Sequence, residues 1–578
     1  MPNFLKPTRF LSAIVLLGLS SCTYFSDRPA ESRAKNLFKD SPKEVSIVFS
    51  HNLNGETHSC GCRQFPLGGL APVAGVMHEL KSERPTLYLD TGNTFFPSTT
   101  VPGHVRDSLS FTAENLAKGL RLLDLSFFVP GAQDFAAGDD FLSKLIKENN
   151  FNVLAANTAN ARIKGQLNAK PWTKIESSSP QVKLYFIGLV SPDLLPAHAR
   201  GHFSSTFDAF EKAYAEIVQD GFNPEDPTHR LFVLSTGGMN HDIELAEKFG
   251  NIDWIIGSHS QSFLSAPRNI NGSRIVQVLS RNHYLGEIRL KLTESKAKDT
   301  YQLHEVAESK EFVLDPNPLS SFLESYLVDL RNVQLAEQER MGASFASTDK
   351  LMQTASSCID CHAPQGEKWM NTAHSMAFLT LKQANEASNL SCIECHSAGM
   401  GDPHGFQRSQ DLVVFRSQLQ THHKGEAPGE DTDEETEKLR TIRENYWETI
   451  RQEFSEVGSV RALRPEELRK HSARWLEIDS QFEVAHNFSG VQCMSCHDQQ
   501  VDHPFVWNND EGRTPQQRYQ SIKNNCLSCH DADQSPEWFH RDERGVAQAL
   551  NEDVFQEMYH KVACPSMQED YEDDYDED

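Results

Sequence analysis

Four short units of cysteine and histidine recur in the last third of the chain, each with two cysteines separated by two residues and a histidine directly after the second. This spacing is the signature of covalent c-type haem attachment, in which both thiols bond to the porphyrin and the imidazole ligates the iron. Structural disulfides and zinc knuckles are the alternatives, but neither explains a histidine after every pair. We therefore predict four covalently bound c-type haems, held by Cys358, Cys361 and His362; Cys392, Cys395 and His396; Cys493, Cys496 and His497; and Cys526, Cys529 and His530.

A haem iron that carries electrons without binding substrate needs a second axial ligand, and histidine is the usual one. The C-terminal part of the chain supplies several histidines outside the four units. Local context favours His374, His404, His486 and His503 as iron ligands. The sequence alone does not decide whether one iron lacks such a ligand.

A different pair of thiols, Cys60 and Cys62, follows the first predicted strand, with one glycine between them. A disulfide across this spacing closes a small strained ring, which would make the pair a labile redox couple. With His51 and His58 the thiols could instead hold one soft metal ion such as zinc or copper. A static structural disulfide, or two thiols with no role, is the third interpretation. We favour redox chemistry and name both cysteines as candidate catalytic residues.

The chain has 578 residues, which predicts about three or four domains. It has 55 Lys and Arg against 81 Asp and Glu, a formal net charge of −26. That balance argues against nucleic-acid binding and against docking on anionic lipid through basic residues. With 38% hydrophobic residues and 34 phenylalanines the chain can build cores, which argues against global disorder.

The two ends of the chain have special compositions. Residues 1–22 have the pattern of an export signal, with an apolar stretch at 11–19 that is too short to span a bilayer. The stretch ends in a sequence that resembles a bacterial lipoprotein box, which implies acylation of Cys22. Because Thr23 follows, we expect a lipid anchor at the periplasmic face of the outer membrane or at the cell surface. Residues 568–578 are almost wholly acidic and predict a disordered tail.

Apolar runs alternate with amphipathic stretches between residues 43 and 305. The alternation predicts an α/β domain with a central sheet. Strands are predicted at 45–50, 86–90, 125–130, 152–156, 182–190, 231–235 and 254–257, and helices at 70–80, 111–124, 139–149, 207–220 and 241–249.

The loops after these strands resemble, in order and spacing, those of the calcineurin-like metallophosphatases of the 5′-nucleotidase branch. The resemblance implies an α/β sandwich, but not the two metal ions of that family. Asn52 and Asn54 stand where the family has Asp and His, Asn93 replaces the bridging Asp, and Gln133 replaces a His. Neutral amides are poor ligands for a dinuclear site whose charge must be balanced by carboxylates. Relatives with a Cys-Gly-Cys element on this scaffold point to redox use, not hydrolysis.

Residues 350–535 resemble the tetrahaem cytochrome family typified by the electron acceptor of hydroxylamine oxidation. Besides the four units, the resemblance rests on a run from Trp369 to Leu381 that contains His374, and on Gly490, Val491 and Gln492 before the third unit. It implies haems in near contact, mostly with two histidine ligands. A long insert separates the second and third units, and we predict a helix in it at 435–454.

We therefore predict a multidomain protein, in which an α/β metallophosphatase-like sandwich precedes a mainly helical, loop-rich tetrahaem cytochrome c domain. A helix at 319–338 is expected to pack the two halves together. The expected segments are a signal peptide at 1–22, a linker at 23–42, the degenerate metallophosphatase-like domain at 43–305, a helical connector at 306–345, the tetrahaem domain at 346–540 and a C-terminal segment at 541–578.

The expected function is electron transfer by an exported cytochrome, coupled to redox chemistry at Cys60 and Cys62. The expected partners are redox proteins or a small inorganic electron donor or acceptor, together with the membrane through the lipid anchor and without nucleic acid. One alternative is an electron conduit with a non-catalytic docking domain. Another is a residual metal-dependent phosphoesterase.

Overall fold

The structure is a computed structural model that describes residues 37–38, 42–59, 66–178, 181–260, 262–341, 351–402, 404–422, 433–497, 514–532, 534–541 and 547–565. The predicted signal peptide with Cys22, the pair Cys60 and Cys62, the ligand candidate His503 and the acidic tail lie outside the described residues. A search of the described ranges finds no helix with the length and apolar character that a bilayer crossing requires.

Eleven strands and seven helices are described between residues 44 and 305. The strands are β1 Glu44–Ser50, β2 Thr86–Asp90, β3 Leu125–Phe128, β4 Trp172–Ser178, β5 Gln181–Leu189, β6 His229–Ser235, β7 Trp254–Ile256, β8 Arg268–Ile270, β9 Ser273–Val276, β10 Tyr284–Lys291 and β11 Thr300–Glu305. The helices are α1 Leu70–Glu83, α2 Arg106–Leu122, α3 Asp139–Asn149, α4 Ala161–Leu167, α5 Ala197–Arg200, α6 Thr206–Gln219 and α7 Gly238–Lys248.

The strands form two sheets, one of five strands in the order β11-β10-β1-β2-β3 and one of six in the order β4-β5-β6-β7-β9-β8. Parallel pairing joins β1 to β2, β2 to β3, β5 to β6, β6 to β7 and β7 to β9. In each sheet the carboxyl ends of the parallel strands therefore lie along one edge, which is where parallel sheets place their functional loops.

Strand β5 shows why the sheets stack, since successive side chains of a strand point to opposite faces. Leu184 and Phe186 belong to the core that lies between the two sheets, where the ring of Phe186 lies 5.2 Å from that of Phe127 on β3. Tyr185 and Ile187 face the other way, into a second core covered by α6 and α7. Both faces are buried, so the strand is apolar almost throughout, as expected for a central strand.

The structure confirms six of the seven predicted strands and all five predicted helices of this part, with shifts of a few residues at their ends. The central sheet expected from the alternation is present as two sheets, in agreement with the predicted α/β sandwich. The predicted strand at 152–156 is wrong, because only Val153 and Leu154 form isolated bridges, to Phe128 and Lys170. The sequence missed β4, β8, β9, β10 and β11, each of which pairs antiparallel with at least one neighbour and mixes polar with apolar residues.

The described part of the chain beyond residue 306 is mainly helical. Its helices are α8 Pro318–Glu339, α9 Ala355–Ile359, α10 Ala363–Met370, α11 Ala377–Gln383, α12 Leu390–His396, α13 Arg416–His422, α14 Asp433–Glu453, α15 Pro465–Gln481, α16 Cys493–Cys496, α17 Pro515–Cys529 and α18 Glu552–Val562. Four short strands form two antiparallel pairs, β12 Val413–Phe415 with β13 Val484–Asn487, and β14 Phe539–Arg541 with β15 Ala547–Leu550. The predicted helix at 435–454 is confirmed as α14.

Helix α8 connects the two parts of the molecule, as predicted. On the N-terminal side, the hydroxyl of Tyr326 hydrogen-bonds with Thr112 of α2 at 3.0 Å. On the C-terminal side, Gln338 donates to the carbonyl of Ser388 at 2.7 Å, and Gln334 accepts from the Ser388 hydroxyl at 2.7 Å. Gln334 and Gln338 are buried, so these bonds form without competition from water and fix the register of the helix against both parts.

Candidate functional site

The loops after β1, β2, β3 and β7 meet at one edge of the two sheets. Asn93 of the second loop donates its side-chain amide to Oδ1 of Asn52 at 3.1 Å, and its own Oδ1 accepts from the backbone N–H of Gln133 at 3.1 Å. The backbone N–H of His259 also donates to Oδ1 of Asn52, at 3.1 Å. Asn52, Asn54, Asn93 and His259 all have positive φ angles between 51° and 70°, a conformation that Asn and His tolerate better than most residues. Neutral amides thus hold together the loops that correspond to the predicted degenerate metal site.

The two carboxylates at this edge are already used by the loops themselves. Asp134 is buried and accepts from the backbone N–H groups of Gly131, Asn93, Thr94 and Phe95 at 2.7 to 3.0 Å. Asp90 accepts from the hydroxyls of Ser50 and Thr94 and from the N–H of Gly92. Across the described ranges no group of three or more His, Cys, Asp or Glu side chains could hold a metal ion. Both carboxylates therefore position the loops at this edge through their hydrogen bonds.

His51 and His58, which the metal interpretation of Cys60 and Cys62 requires, are separated by their contacts. His51 is buried, its Nε2 accepts from the backbone N–H of Val278 at 3.0 Å, and burial lowers its pKa to about 3. The Nε2 atom of His58 is 2.9 Å from a carboxylate oxygen of Glu386. This contact joins the last described residues before the two cysteines to the C-terminal part of the molecule.

The four Cys and His units share one local geometry, a single turn of helix. In three of them the backbone N–H of the histidine donates to the carbonyl of the first cysteine at 2.9 Å, for His362, His497 and His530. The remaining unit lies within α12, which ends at His396. Residues three apart on a helical turn lie on the same face, so each turn presents its two thiols side by side. The described cysteines of the four units are thiols without a disulfide.

The four turns lie against one another in pairs. The thiols of Cys358 and Cys493, in the first and third turns, lie close enough to shift each other's pKa, and so do those of Cys395 and Cys529, in the second and fourth. Asn525, next to the fourth unit, donates to the carbonyl of Cys496 in the third at 3.3 Å. Attachment points that are far apart in the sequence are therefore neighbours in space.

Two of the unit histidines are oriented by hydrogen bonds at Nδ1. His396 Nδ1 lies 2.7 Å from the carbonyl of Ala377 and 3.0 Å from the hydroxyl of Thr380. His530 Nδ1 lies 2.9 Å from the hydroxyl of Ser535, and its ring stacks on Trp538 with 4.4 Å between centroids. A hydrogen bond at Nδ1 fixes the tautomer and ring direction of a histidine that binds a metal through Nε2. Paired thiols and oriented imidazoles are the donor set that a covalently attached haem requires.

His374, one of the candidate second ligands, lies beside a unit histidine. Its ring centroid is 6.4 Å from that of His530. Burial and the nearby charges of His530 and His396 lower the pKa of His374 to about 4, so its imidazole is neutral at pH 7, the form that binds iron. Gly490, with a φ of 84°, lies against the carbonyl of His374, where a Cβ would come within 3.1 Å of that oxygen.

His404 and His486 lie together beside the segment that precedes the first unit. The backbone N–H of Met352 donates to the carbonyl of His404 at 2.8 Å, and the His486 ring hydrogen-bonds to the backbone of Met352. The Nδ1 atom of His486 is buried without a hydrogen-bond partner. The fourth candidate, His503, is outside the described residues.

Sequence reasoning gave no role to Gln492 or to Cys564. Gln492 is buried, precedes the third unit, and accepts from the N–H of Ala355 at the start of the helix that carries the first unit, at 2.7 Å. Its own side chain donates to the carbonyls of Asn487 and Ser489. The Gly-Val-Gln sequence before Cys493 was the available signal. Cys564 lies close enough to Cys493 and Cys496 to interact electrostatically with their thiols.

Comparison with known proteins finds two different similarities. Residues 357–417, which contain the first two units, match the model of the family described as cytochrome c554 and c-prime. A trifunctional nucleotide phosphoesterase of Bacillus subtilis (strain 168) is 24% identical over 146 residues. That match covers 25% of this chain, and it spans only a tenth of the length of the phosphoesterase.

Similar solved structures include a 5′-nucleotidase precursor from Thermus thermophilus, with 16% identity over 59% of this chain and 68% of that chain at a TM-score of 0.41. A sulfate thiohydrolase of Thermus thermophilus in complex with glycerol has 16% identity over 56% of this chain and 68% of its own, also at 0.41. A calcineurin-like phosphoesterase from Bacillus subtilis has 19% identity over 50% of this chain and 99% of its own at 0.40. The chain is thus similar in one part to nucleotide phosphoesterases and in another to a cytochrome c family, which implies haem as a cofactor.

Proposed function

We propose that this protein is an exported, lipid-anchored electron-transfer cytochrome with four covalently bound haems. The observation that carries the proposal is the arrangement of the four Cys-x-x-Cys-His turns, which lie against one another in pairs. Haem supplies the change in iron valence when it is bound. The chain supplies thiols for attachment, oriented imidazoles, and contacts that keep the four sites close enough for electrons to pass between them.

We assign His374 as the residue that would hold a haem iron together with His530. The ring centroids of the two histidines lie 6.4 Å apart, so their imidazoles are neighbours. His404, His486 and His503 are the candidates for the other irons.

The N-terminal part would contribute a second redox centre at Cys60 and Cys62. The contact between His58 and Glu386 supports this role, since it holds a residue two positions before Cys60 against the cytochrome part. Glu386 also accepts from Asn389 at 2.8 Å, and Asn389 caps the helix that carries the second unit. The amide network at the sheet edge argues against a dinuclear hydrolase there. We therefore propose electron transfer as the function in preference to a residual phosphoesterase.

The decisive experiment counts haems. The mature protein, purified from an exporting host, is expected to carry four thioether-linked haems by intact mass and by its reduced absorbance spectrum. A colourless mature protein, or one without thioether-bound porphyrin, would refute the proposal. Replacing Cys60 and Cys62 with serine then tests the second centre: reoxidation of the haems by a small sulfur or nitrogen oxidant should slow, whereas the neighbouring control Ser59→Ala should not change it. Equal rates in all three proteins would leave a cytochrome without thiol chemistry.

A further inference from the structure

A cavity of about 210 Å³ lies where the connecting helix α8 meets the cytochrome part. Three positively charged side chains line it, each from a different helix: Arg331 from α8, Lys382 from α11 and Arg443 from α14. The chain as a whole carries a net charge of −26, so three cations around one small cavity depart from its general character. Like charges in a partly buried space repel each other unless an anion balances them.

None of the three cations has a carboxylate partner among the residues that the structure describes. The Nε atom of Arg443 is buried without a hydrogen-bond partner. The nearest acid to influence Arg443 is Asp411, and both of its oxygens already bind Arg408, at 2.6 and 3.0 Å. A guanidinium left without an acceptor in a partly buried position is costly, and a bound anion would remove that cost.

Lys382 contacts an aromatic ring where a buried lysine would usually contact a carboxylate. Its Nζ lies 4.2 Å from the centroid of Trp447, and the ring of Trp447 lies 5.7 Å from that of Phe378. Burial, followed by the charge of Arg331, lowers the pKa of Lys382 to about 8. The ammonium group thus remains mostly charged at pH 7 while it faces the cavity with its polar end.

We propose that this cavity binds a small polyatomic oxyanion of the size of phosphate or sulfate. The guanidinium forks of Arg331 and Arg443 match the paired oxygens of such an anion, and Lys382 adds a third charge. The volume is several times the roughly 30 Å³ of one water molecule, and below the roughly 300 Å³ at which pockets for larger organic ligands begin. The size therefore favours a free oxyanion over a phosphate group carried by a nucleotide.

The cavity is separate from the loops at the sheet edge, and one helix lies between it and the second haem-attachment unit. Phe378 and Lys382 of α11 line the cavity, while Ala377 and Thr380 of the same helix contact His396. An anion in the cavity would therefore stabilise the junction of α8, α11 and α14, and it would do so whether or not the thiols at residues 60 and 62 are redox-active.

Isothermal titration of the full-length, haem-loaded protein with inorganic phosphate and with sulfate, at constant ionic strength in chloride, tests the proposal. We expect one saturable site with a dissociation constant of about 1 mM or tighter. Arg443→Gln should weaken binding about tenfold or more. Arg440→Gln, an exposed position on the same helix that pairs with Glu437 and Glu444, should leave it unchanged.

Lys382→Met provides a second variant if Arg443→Gln folds poorly, and haem content and circular dichroism report on folding in both. AMP tests whether the site takes a phosphate group that is part of a nucleotide. We expect AMP to bind no more tightly than inorganic phosphate. Absence of saturable binding to the wild-type protein would overturn the proposal. So would equal affinities in wild type and both cavity variants, or binding of AMP without binding of phosphate.

Discussion

Glu287 on β10 offers a stability prediction that the structure makes quantitative. Its side chain is fully buried and accepts hydrogen bonds from Arg84 at 3.0 Å, from His304 at 2.8 Å and from Ser46. Burial alone would raise the pKa of Glu287. The hydrogen bonds from His304 and Ser46, together with the charges of His304 and Arg289, outweigh burial and lower the pKa from 4.5 to about 2.

The sign and size of the effect follow from this shift. A carboxyl group whose pKa is lower in the folded state stabilises the fold above its unfolded pKa, and it loses that contribution as the pH falls towards the folded value. A shift from 4.5 to about 2 corresponds to roughly 3 kcal/mol at pH 7. We therefore expect Glu287→Gln to destabilise the N-terminal sheets by about 3 kcal/mol at pH 7, and by much less near pH 3.

Hydrogen exchange measured by mass spectrometry on the full-length protein reports the loss locally. Amides of β1 and β10 should exchange about a hundredfold faster in Glu287→Gln than in wild type at pH 7, since each 1.4 kcal/mol is roughly a factor of ten. Glu83→Gln is the matched control, because Glu83 binds the same Arg84 but is 57% exposed, and exposed pairs contribute little. The same acceleration at pH 3 as at pH 7, or an equal effect of the control, would refute the reasoning.

Three further predictions concern the C-terminal part of the chain. His374→Ala should convert one haem from low-spin to high-spin in the absorbance and magnetic spectra, and four unchanged low-spin haems would contradict the assigned ligand. Burial raises the pKa of Asp479 to about 6, so the stability of the wild type relative to Asp479→Asn should fall as the pH rises from 4 to 7. Denaturant unfolding at both pH values measures this difference in stability. A difference that changes in the other direction would be inconsistent with a buried carboxyl. Glu386→Gln should weaken the contact with His58 by about 1–3 kcal/mol and should speed hydrogen exchange around His58 and in α12. Exchange at the wild-type rate in both places would show that the contact contributes nothing to stability.

The sequence predicted those features that depend on residues close together in the chain. Each predicted haem-attachment unit is five residues long. Elements such as β2 and α3 are predicted from a short stretch in which apolar residues recur with a single period. The strands β10 and β11 escaped prediction because their alternation of polar and apolar residues is interrupted, and because their pairing is decided by distant partners, as in Val45 opposite Leu290.

The arrangement of the sites lay beyond the sequence for the same reason. Nothing near His58 indicates that it meets Glu386, and nothing near Asn93 indicates that its amide donates to Asn52. Such contacts join chain segments that only the completed fold brings together. The sequence identified the atoms capable of chemistry, and the structure was needed to show which of them are neighbours.

The hydrogen bond from the Ala355 N–H to Gln492 has a consequence for how the protein matures. It links the first and third attachment turns across 137 residues of chain. In the exported cytochrome that we propose, the first turn would leave the export channel before the third, so its surroundings would be incomplete while a porphyrin is joined to it. Enclosure of that cofactor would then be a late, cooperative event, and a chain interrupted before residue 490 would leave it open to proteases and oxidants.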